Sequence, residues 1–241
     1  MTARTMLRRL LRRPGLAPAL ALAATLGLAA QPRTAAAAAP VDEFSVVIQG
    51  QVAGRLLRST EPDGTVTTDY SYRDNGRGPD LRERWRSDAQ GLPVAYDVSG
   101  RSTFGAEVRE TFRLPDGRAR WTSRADTGDQ PAPDGHAHVP LDSSPLYAEG
   151  VLRALLARPD AGVPTIGGLT LRVERVARHT LDTPQGPLPL ALVALVGADA
   201  HPWYYWVHDD GSHAFFGQTW PGWALLSKGH EAAAEALAAR V

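Results

Sequence analysis

Residues 65–87 read TVTTDYSYRDNGRGPDLRERWRS. Their first part, Thr65 to Arg73, is rich in threonine and tyrosine, which β-strands prefer. The asparagine and glycines at 75–78 are typical of a turn, because they tolerate backbone angles that other residues avoid. From Leu81 to Ser87 every second residue is an arginine, with leucine, glutamate and tryptophan between them. This alternation with a period of two predicts a strand with one strongly basic, wet face.

Turn residues recur about every 10–12 positions along 44–125, a spacing typical of an all-β sandwich, barrel or curled sheet. We expect one opening strand from Phe44 to Arg58, bent at its two glycines. Residues 125–135, rich in aspartate, glycine and proline, are predicted to form a loop. Further strands are predicted at 169–181, 188–196 and 203–208, and the last apolar strip at 220–226.

One segment, residues 145–158, has helical rather than strand periodicity. Asp142, Ser143 and Ser144 offer a Ser or Asp cap, Pro145 suits the first helical position, and leucines follow at roughly helical spacing until Pro159. We expect this helix to cover the apolar, concave face of the sheet. A second, alanine-rich helix is predicted from about Gly229 to Arg240.

The predicted fold is mainly β. We expect an antiparallel curved sheet, either a half-barrel or an open barrel, with one central helix and a C-terminal helix. The β-rich domain is predicted to span 40–228. Residues 229–241 are predicted to form the C-terminal helix, which could link to a further domain.

The first 39 residues have the pattern of a secretory signal peptide. Arginines precede an apolar stretch from Leu16 to Ala30, and a run of alanines at 35–39 follows, as in a cleavage region. A membrane anchor is the alternative, but the apolar stretch has about 15 residues and a spanning helix needs roughly 20. We expect an exported protein, periplasmic or secreted, whose export route (Sec or twin-arginine) stays open.

Charge and composition exclude several classes of function. The six arginines of the leader leave 20 basic against 26 acidic residues in 40–241, so a nucleic-acid partner is not expected. The absence of cysteine excludes disulfides, cysteine-ligated zinc and thiol catalysis. With Lys228 as the only lysine, a P-loop and Schiff-base chemistry are excluded as well.

Two histidines, His136 and His138, stand two residues apart. On a strand they would point to the same side, which is how some metal hydrolases present their first two ligands. The further ligands of such a site are not recognisable in the sequence. The alternative is that both are ordinary polar residues that lead out of a loop.

Aromatic residues are densest near the C-terminus. In the strand at 203–208, Trp203 and Tyr205 are predicted to share one face, and Tyr204 and Trp206 the other. These rings are either core or the lining of an apolar groove. For a groove, the candidate ligand-binding residues are Trp203, Tyr205, Trp220 and Trp223. The protein would then be a periplasmic carrier of an apolar or lipid ligand, although the central helix would compete for the same volume.

Three stretches together resemble a known arrangement. They are residues 44–54 (FSVVIQGQVAG), the helix at 144–156 (SPLYAEGVLRALL) and residues 202–211 (PWYYWVHDDG) leading to Phe215 and Phe216. They are similar to the β-rich N-terminal region of secreted bacterial amidohydrolases of the imidazolonepropionase-related group. The opening strand is also similar to periplasmic half-barrel proteins of the lipoprotein-carrier kind.

The resemblance implies an exported, non-catalytic accessory module that acts beside a catalytic (β/α) barrel domain or protein. In such enzymes the catalytic residues belong to that barrel, so the resemblance assigns none to this chain, which stops at Val241. Zinc or another divalent metal would be a cofactor of the barrel, and none is expected for this chain alone. A metal-dependent hydrolase is the alternative if the chain is part of a larger or split enzyme.

Overall fold

The computed structural model describes residues 41–241, so the predicted signal peptide lies outside the described residues. Fourteen β-strands are described in this range. The first eight are β1 (Val41–Ile48), β2 (Gln51–Thr60), β3 (Val66–Tyr72), β4 (Asp80–Ser87), β5 (Pro93–Arg101), β6 (Glu107–Arg113), β7 (Arg118–Thr122) and β8 (Thr127–Pro131). The other six are β9 (Val163–Pro164), β10 (Thr170–Thr183), β11 (Gly186–Val196), β12 (Trp203–His208), β13 (Phe215–Trp220) and β14 (Trp223–Ser227).

All strand pairs are antiparallel, and the strands form one curved sheet in the order β8-β7-β6-β5-β4-β3-β2-β1-β14-β13-β12-β11-β10-β9. The sheet consists of two meanders, β1–β8 and β9–β14. They join where β1 pairs with β14, with Phe44 opposite Ser227 and Ile48 opposite Trp223. The predicted mainly β, antiparallel curved sheet is confirmed.

The two edge strands of the sheet, β8 and β9, form no ladder with each other within residues 41–241, so the barrel is open. The residues in and beside these two strands still approach each other. Gln130 Nε2 donates a hydrogen bond to the carbonyl oxygen of Ile166 at 2.5 Å, and Ala137 forms a single parallel bridge with Thr165. The curl therefore brings the two edges within reach of one side chain.

The predicted single strand from Phe44 to Arg58 is wrong, because the chain reverses at Gln49–Gly50. Both turn residues have positive φ, 50° and 75°, as a two-residue hairpin turn requires. β1 and β2 then pair along their length. Gly54, predicted as a bend, lies in β2 against β3, where a Cβ would overlap Ser71 O.

Three further predictions need correction. Residues 127–131 of the predicted loop form β8, which pairs with β7 along its length, and Asp129 lies beside Arg118 and Arg120 of that strand. The apolar strip at 220–226 contains a hairpin turn at Pro221–Gly222, which separates β13 from β14. The C-terminal helix is shorter than predicted.

The central helix is confirmed. It starts with a 3-10 turn at Pro145–Ala148 and continues as α1 (Glu149–Ala157). The main chain packs closely here, since a Cβ at Gly150 would overlap the carbonyl oxygen of Gly91. Glu149 fixes the start of α1 to the sheet: one carboxylate oxygen lies 2.8 Å from Arg58 Nη1, and the other accepts the Phe215 N–H at 3.0 Å.

A large inner core lies on one face of the sheet. It unites apolar side chains from strands of both meanders with those of α1, among them Leu152 and Leu155, which are fully buried. One helix can touch strands from both meanders only when the sheet curves around it. The face that carries α1 is therefore the concave one.

A smaller outer core lies on the opposite face and is limited to β1 and β11–β14. Here a 3-10 turn at Glu231–Ala233 and the short helix α2 (Ala234–Ala238) cover the sheet, with Leu237 fully buried. Of the predicted helix at 229–240, this is the part that packs on apolar sheet. Within residues 41–241, no helix is long and apolar enough to cross a membrane.

Candidate functional site

A cavity of about 470 Å³ lies between the start of the central helix and the C-terminal meander. Residues 138–148, here called the strap, form one wall as they run from the β8 region into α1. The opposite wall comes from residues 202–205 and 218–220 of β12 and β13. Inward-facing apolar residues of β3, β4, β10 and β11 complete the lining, including Tyr70, Leu81 and Leu195.

The strap is held to the sheet by two buried glutamates. Glu83 of β4 is fully buried, and it accepts hydrogen bonds from the Ser144 N–H at 2.9 Å and from Thr68 Oγ1 at 2.6 Å. Glu110 of β6 is also buried and accepts the Leu141 N–H at 2.9 Å. Because the strap has no strand partner, these carboxylates satisfy its backbone donors.

Tyr96 links the buried Glu83 to the strap. Its hydroxyl group lies 2.8 Å from the carbonyl oxygen of Asp142 and 3.0 Å from Glu83 Oε1. Burial raises the pKa of Tyr96 well above its ordinary value, and the charge of Glu83 raises it further. The hydroxyl group therefore stays protonated and works as a hydrogen-bond donor.

His138 begins the strap and is buried in the inner core. Its ring stacks on Phe112, with centroids 4.2 Å apart and planes within 7°. Nε2 lies 2.9 Å from Glu110 Oε1, so this nitrogen donates to the carboxylate. The histidine is thus fixed in orientation by one ring and one carboxylate, and it also contributes to the lining of the cavity.

The aromatic wall combines buried and exposed rings. Tyr205 is buried, Trp203 is half-buried, and Trp220 is 42% exposed at the rim. Trp220 stacks on Trp223, its partner across the hairpin, with centroids 3.8 Å apart and planes within 3°. The cavity wall therefore runs from the core out to an open, flat indole surface.

Two hydroxyl groups in the lining have no hydrogen-bond partner within the described residues. They are Ser144 Oγ and Tyr147 OH, in side chains that are 1% and 5% exposed. A serine or aspartate of 142–144 was predicted to cap the helix; Ser144 occupies the cap position, but its side chain forms no cap hydrogen bond. Both oxygen atoms are closed off from the open space of the cavity, so they are unpaired polar atoms inside its wall.

Four of the six sequence-predicted site residues line this cavity: Trp203, Tyr205, Trp220 and His138. Trp223 instead lines a second cavity of about 430 Å³ between the β1–β2 turn and α2. His136 does not line this cavity, and its Nδ1 lies 2.9 Å from the carbonyl oxygen of Pro133. The structure thus groups the aromatic candidates but gives the two histidines different partners.

A metal centre has no visible basis in residues 41–241, where no three His, Asp or Glu side chains are grouped to hold an ion. The cavity lining within that range contains neither lysine nor arginine. What the arrangement offers is an apolar aromatic surface and, opposite it, a strap that carries the polar residues Asp142 and His138. These groups can bind and orient a small molecule.

Sequence reasoning missed Ser144, Tyr147, Glu83 and Glu110 as residues of this site. Glu83 could have been recognised, because it lies between Leu81 and Trp85 on the inward-facing side of β4. A glutamate at an inward position has to find hydrogen-bond donors, which indicates a polar site in the core. The sequence could not show which donors these are, because they lie 61 and 15 positions away along the chain.

No protein-family model matches the chain, and no curated protein matches it. Among solved structures, it is similar to a β-barrel-like protein of the domain of unknown function DUF1849 from Brucella abortus, with 11% identity and a TM-score of 0.46. That match covers 78% of this chain and 94% of the other. It is also similar to a DUF1089 family protein from Pseudomonas aeruginosa, with 19% identity, a TM-score of 0.32, and coverage of 75% and 86%.

Proposed function

We propose that this protein is an exported, non-catalytic binding protein that holds a small amphipathic molecule in the cavity beneath the strap. The observation that carries this proposal is the meeting of an aromatic wall with the partly polar strap in one cavity. The apolar part of the ligand would lie on Trp203 and Trp220. Its polar group would lie beside the polar residues of the lining, such as Asp142 and His138.

The size and position of the cavity support this proposal. A volume of about 470 Å³ falls in the range of small-molecule sites. The sequence suggested that the central helix would fill the concave side and leave no room for a ligand. The cavity lies beside the start of that helix, next to Pro145 and Ala148, so helix and ligand do not compete for the same space.

The energetics of an apolar ligand are favourable at this wall. Each methylene group removed from water contributes about 0.8 kcal/mol, so a short alkyl chain suffices for measurable binding. The wall is also pre-formed, because Tyr205 is buried by its own strand neighbours and Trp220 is stacked on Trp223. Little ordering of side chains is then needed on binding.

The proposal is tested on purified mature protein with two readouts. Native mass spectrometry would detect a molecule that co-purifies, and tryptophan fluorescence would follow titration with octanol, octylamine and octanoate. We expect at least one of these probes to bind, and Trp203→Leu to weaken its binding by about tenfold because apolar contact area is lost.

A matched control is Trp121→Leu. Trp121 is half-buried in β7 and packs on the same inner core, but it does not line the cavity. We expect it to leave the affinity unchanged. A clean apo mass together with no fluorescence response to any of the three probes would overturn the proposal.

The accessory role beside an amidohydrolase barrel stays a prediction from the sequence resemblance. Export stays a prediction as well, supported by the arginine-rich and apolar leader. A binding module of the kind proposed here is compatible with both.

A further inference from the structure

The turns at the two ends of the curved sheet differ in the side chains that they expose. Because neighbouring strands are antiparallel, the turns that follow β1, β3, β5 and β13 lie at one end of the sheet, here called the cavity end. The turns that follow β2, β4, β6 and β12 lie at the opposite end, here called the far end. The strap cavity reaches the cavity end, since its lining includes Pro79, Thr103 and Trp220 from the turns and strand ends there.

Three large apolar side chains, here called the apolar tips, are exposed at the turns of the cavity end. Phe104, in the β5–β6 turn, is 83% exposed, and Val52, beside the β1–β2 turn, is 65% exposed. Trp220, at the β13–β14 turn, is 42% exposed. The turn that carries Phe104 is closed by a hydrogen bond of 2.9 Å from the Ser102 N–H to the carbonyl oxygen of Ala106. An ordered turn therefore presents this ring to its surroundings.

The turns of the far end carry carboxylates instead. Each of the four turns contains at least one, and together they hold Glu61, Asp63, Asp88, Asp116, Asp209 and Asp210. In the described part of the chain, no exposed large apolar side chain lies in these four turns. The two ends of the sheet are therefore suited to different surroundings, the far end to water and the cavity end to an apolar partner.

Separate apolar tips fit a lipid bilayer better than a folded protein. A protein partner would need a matched pocket for each tip, because protein interfaces are closely packed. A bilayer accepts apolar side chains at any spacing, and aromatic rings favour its interface with water. The charges beside the tips are balanced, since residues 73–80 and 101–107 together hold three arginines and three acidic residues. Apolar contact, rather than charge, would therefore provide the attraction.

We propose that the cavity end docks on the surface of a lipid bilayer, with Phe104, Val52 and Trp220 inserted among the headgroups and the upper acyl chains. The carboxylates of the far end then point into water. Docking in this orientation would turn the strap cavity towards the membrane, from which an amphipathic molecule would enter it. The inference goes beyond the proposed function and does not depend on it, because docking is measured without added ligand.

The test measures co-sedimentation of the mature protein with vesicles of phosphatidylcholine, a lipid without net charge. We expect binding whose affinity changes by less than about twofold between low and high salt, because screening acts on charges and not on apolar contact. Phe104→Ser should weaken the binding by about tenfold, since the inserted ring is lost. The matched control is Val176→Ser, because Val176 is 48% exposed but lies in the middle of β10. It should leave vesicle binding unchanged.

Lipids brominated in the upper part of their acyl chains show whether the cavity end is the part that docks. Bromine atoms quench the fluorescence of tryptophans that they approach, so we expect quenching when the protein binds such vesicles. The quenching should be clearly smaller in Trp220→Phe, which removes the exposed indole at the tip. This variant keeps an aromatic ring, so it should retain most of the vesicle binding.

The outcomes are separate from those of the ligand-binding experiments. Absence of vesicle binding would overturn the docking inference and assign the tips to a protein partner, whether or not octanol, octylamine or octanoate binds. Equal binding of the wild type and Phe104→Ser would also overturn it, because the contact would then lie elsewhere. A dimer seen in sedimentation without lipid, and dissociated by Phe104→Ser, would show that a second copy covers the tips and would overturn it as well.

Discussion

The two halves of the curved sheet differ in whether one or both of their faces are covered. In the one-sided half, strands β2–β8, the buried apolar side chains all belong to the inner core, and β8 has no buried position; β4 and β6 alternate between buried and exposed positions. In the two-sided half, strands β1 and β11–β14, both faces are covered, and Leu190 to Leu195 of β11 are all buried. The difference comes from α2, which covers the outer face of the second half alone.

The comparison teaches where each half obtains its stability. The outer face of the one-sided half is wet and carries cross-strand ion pairs, such as Arg82 with Asp69 at 2.9 Å and Arg113 with Asp97 at 2.8 Å. Exposed pairs of this kind contribute little. The two-sided half gains a second apolar core instead, so its outward-facing side chains should matter far more than those of the one-sided half.

The outward-facing Trp206 offers the strongest test of that difference. It is fully buried in the outer core, and its Nε1 donates a hydrogen bond to Thr219 Oγ1 at 3.0 Å. Trp206→Ala should lower the free energy of unfolding by about 3–5 kcal/mol, measured by urea denaturation. The control is Leu57→Ala on the outer face of the one-sided half, where Leu57 is half-buried opposite Asp69, and it should cost clearly less. Equal costs would refute the distinction between the halves.

In the one-sided half, replacing a polar residue of the inner face should lower the free energy of unfolding strongly. Glu83→Ala leaves the Ser144 N–H and Thr68 Oγ1 without their acceptor, while the Tyr96 hydroxyl group keeps the Asp142 carbonyl oxygen. We expect a loss of about 3 kcal/mol in urea denaturation. Glu83→Gln keeps the shape and one acceptor oxygen, so it should cost less. If both variants unfold like the wild type, the strap is held by other contacts.

The attachment of the C-terminal segment should depend on pH through Glu231. Burial acts to raise its pKa, but the Ser45 hydroxyl, backbone N–H groups and His230 outweigh burial and hold the pKa below its ordinary value of 4.5. The ionised carboxylate therefore stabilises the fold at pH values above 4.5, and this contribution is lost as the pH falls through the lowered pKa.

Glu231→Gln measures that contribution. At neutral pH we expect the variant to be less stable than the wild type by about 1 kcal/mol or less. The difference should shrink towards zero when denaturation curves are recorded in acid. A difference that stays constant with pH would mean that the carboxylate charge plays no part in fixing this segment.

The smallest effect is expected on the wet face of the one-sided half. Asp97 forms two hydrogen bonds of 2.8 Å with Arg113 Nη2, and both side chains are about half exposed. Asp97→Asn should change the free energy of unfolding by at most about 1 kcal/mol, and by less in high salt. A loss as large as that of Trp206→Ala would show that the outer face is more than a solvated surface.

The accuracy of the sequence predictions follows the same division between halves. The hairpin at 65–87 was predicted almost to the residue, because a one-sided strand has a period of two. The boundaries failed where apolar or glycine-rich runs hid a turn, as at Gln49–Gly50 and Pro221–Gly222. The strands on either side of these turns do not alternate regularly between buried and exposed positions, so no period of two shows where the chain reverses.

The candidate site was only partly predictable. The two faces of β12 followed from alternation alone, and the inner and outer cores contain Tyr205 and Trp206 as expected. The sequence predicted His136 and His138 as a metal pair, but it did not predict the contacts of His138 with Glu110 and Phe112. Glu110 lies 28 positions upstream, and Phe112 stacks on the histidine ring from strand β6. Local spacing holds no information about such neighbours.

By itself the sequence determined the mainly β class, the central helix at 145–157 and the alternation that separates inner from outer faces. Each of these depends on neighbours a few positions apart, whose side-chain direction the backbone repeat dictates. Only the tertiary structure decided that β1 pairs with β14, that the strap is held by Glu83 and Glu110, and that Ser144 and Tyr147 meet the aromatic wall in one cavity. Those contacts join residues far apart along the chain, and they form only when the curl of the whole sheet brings its two meanders together.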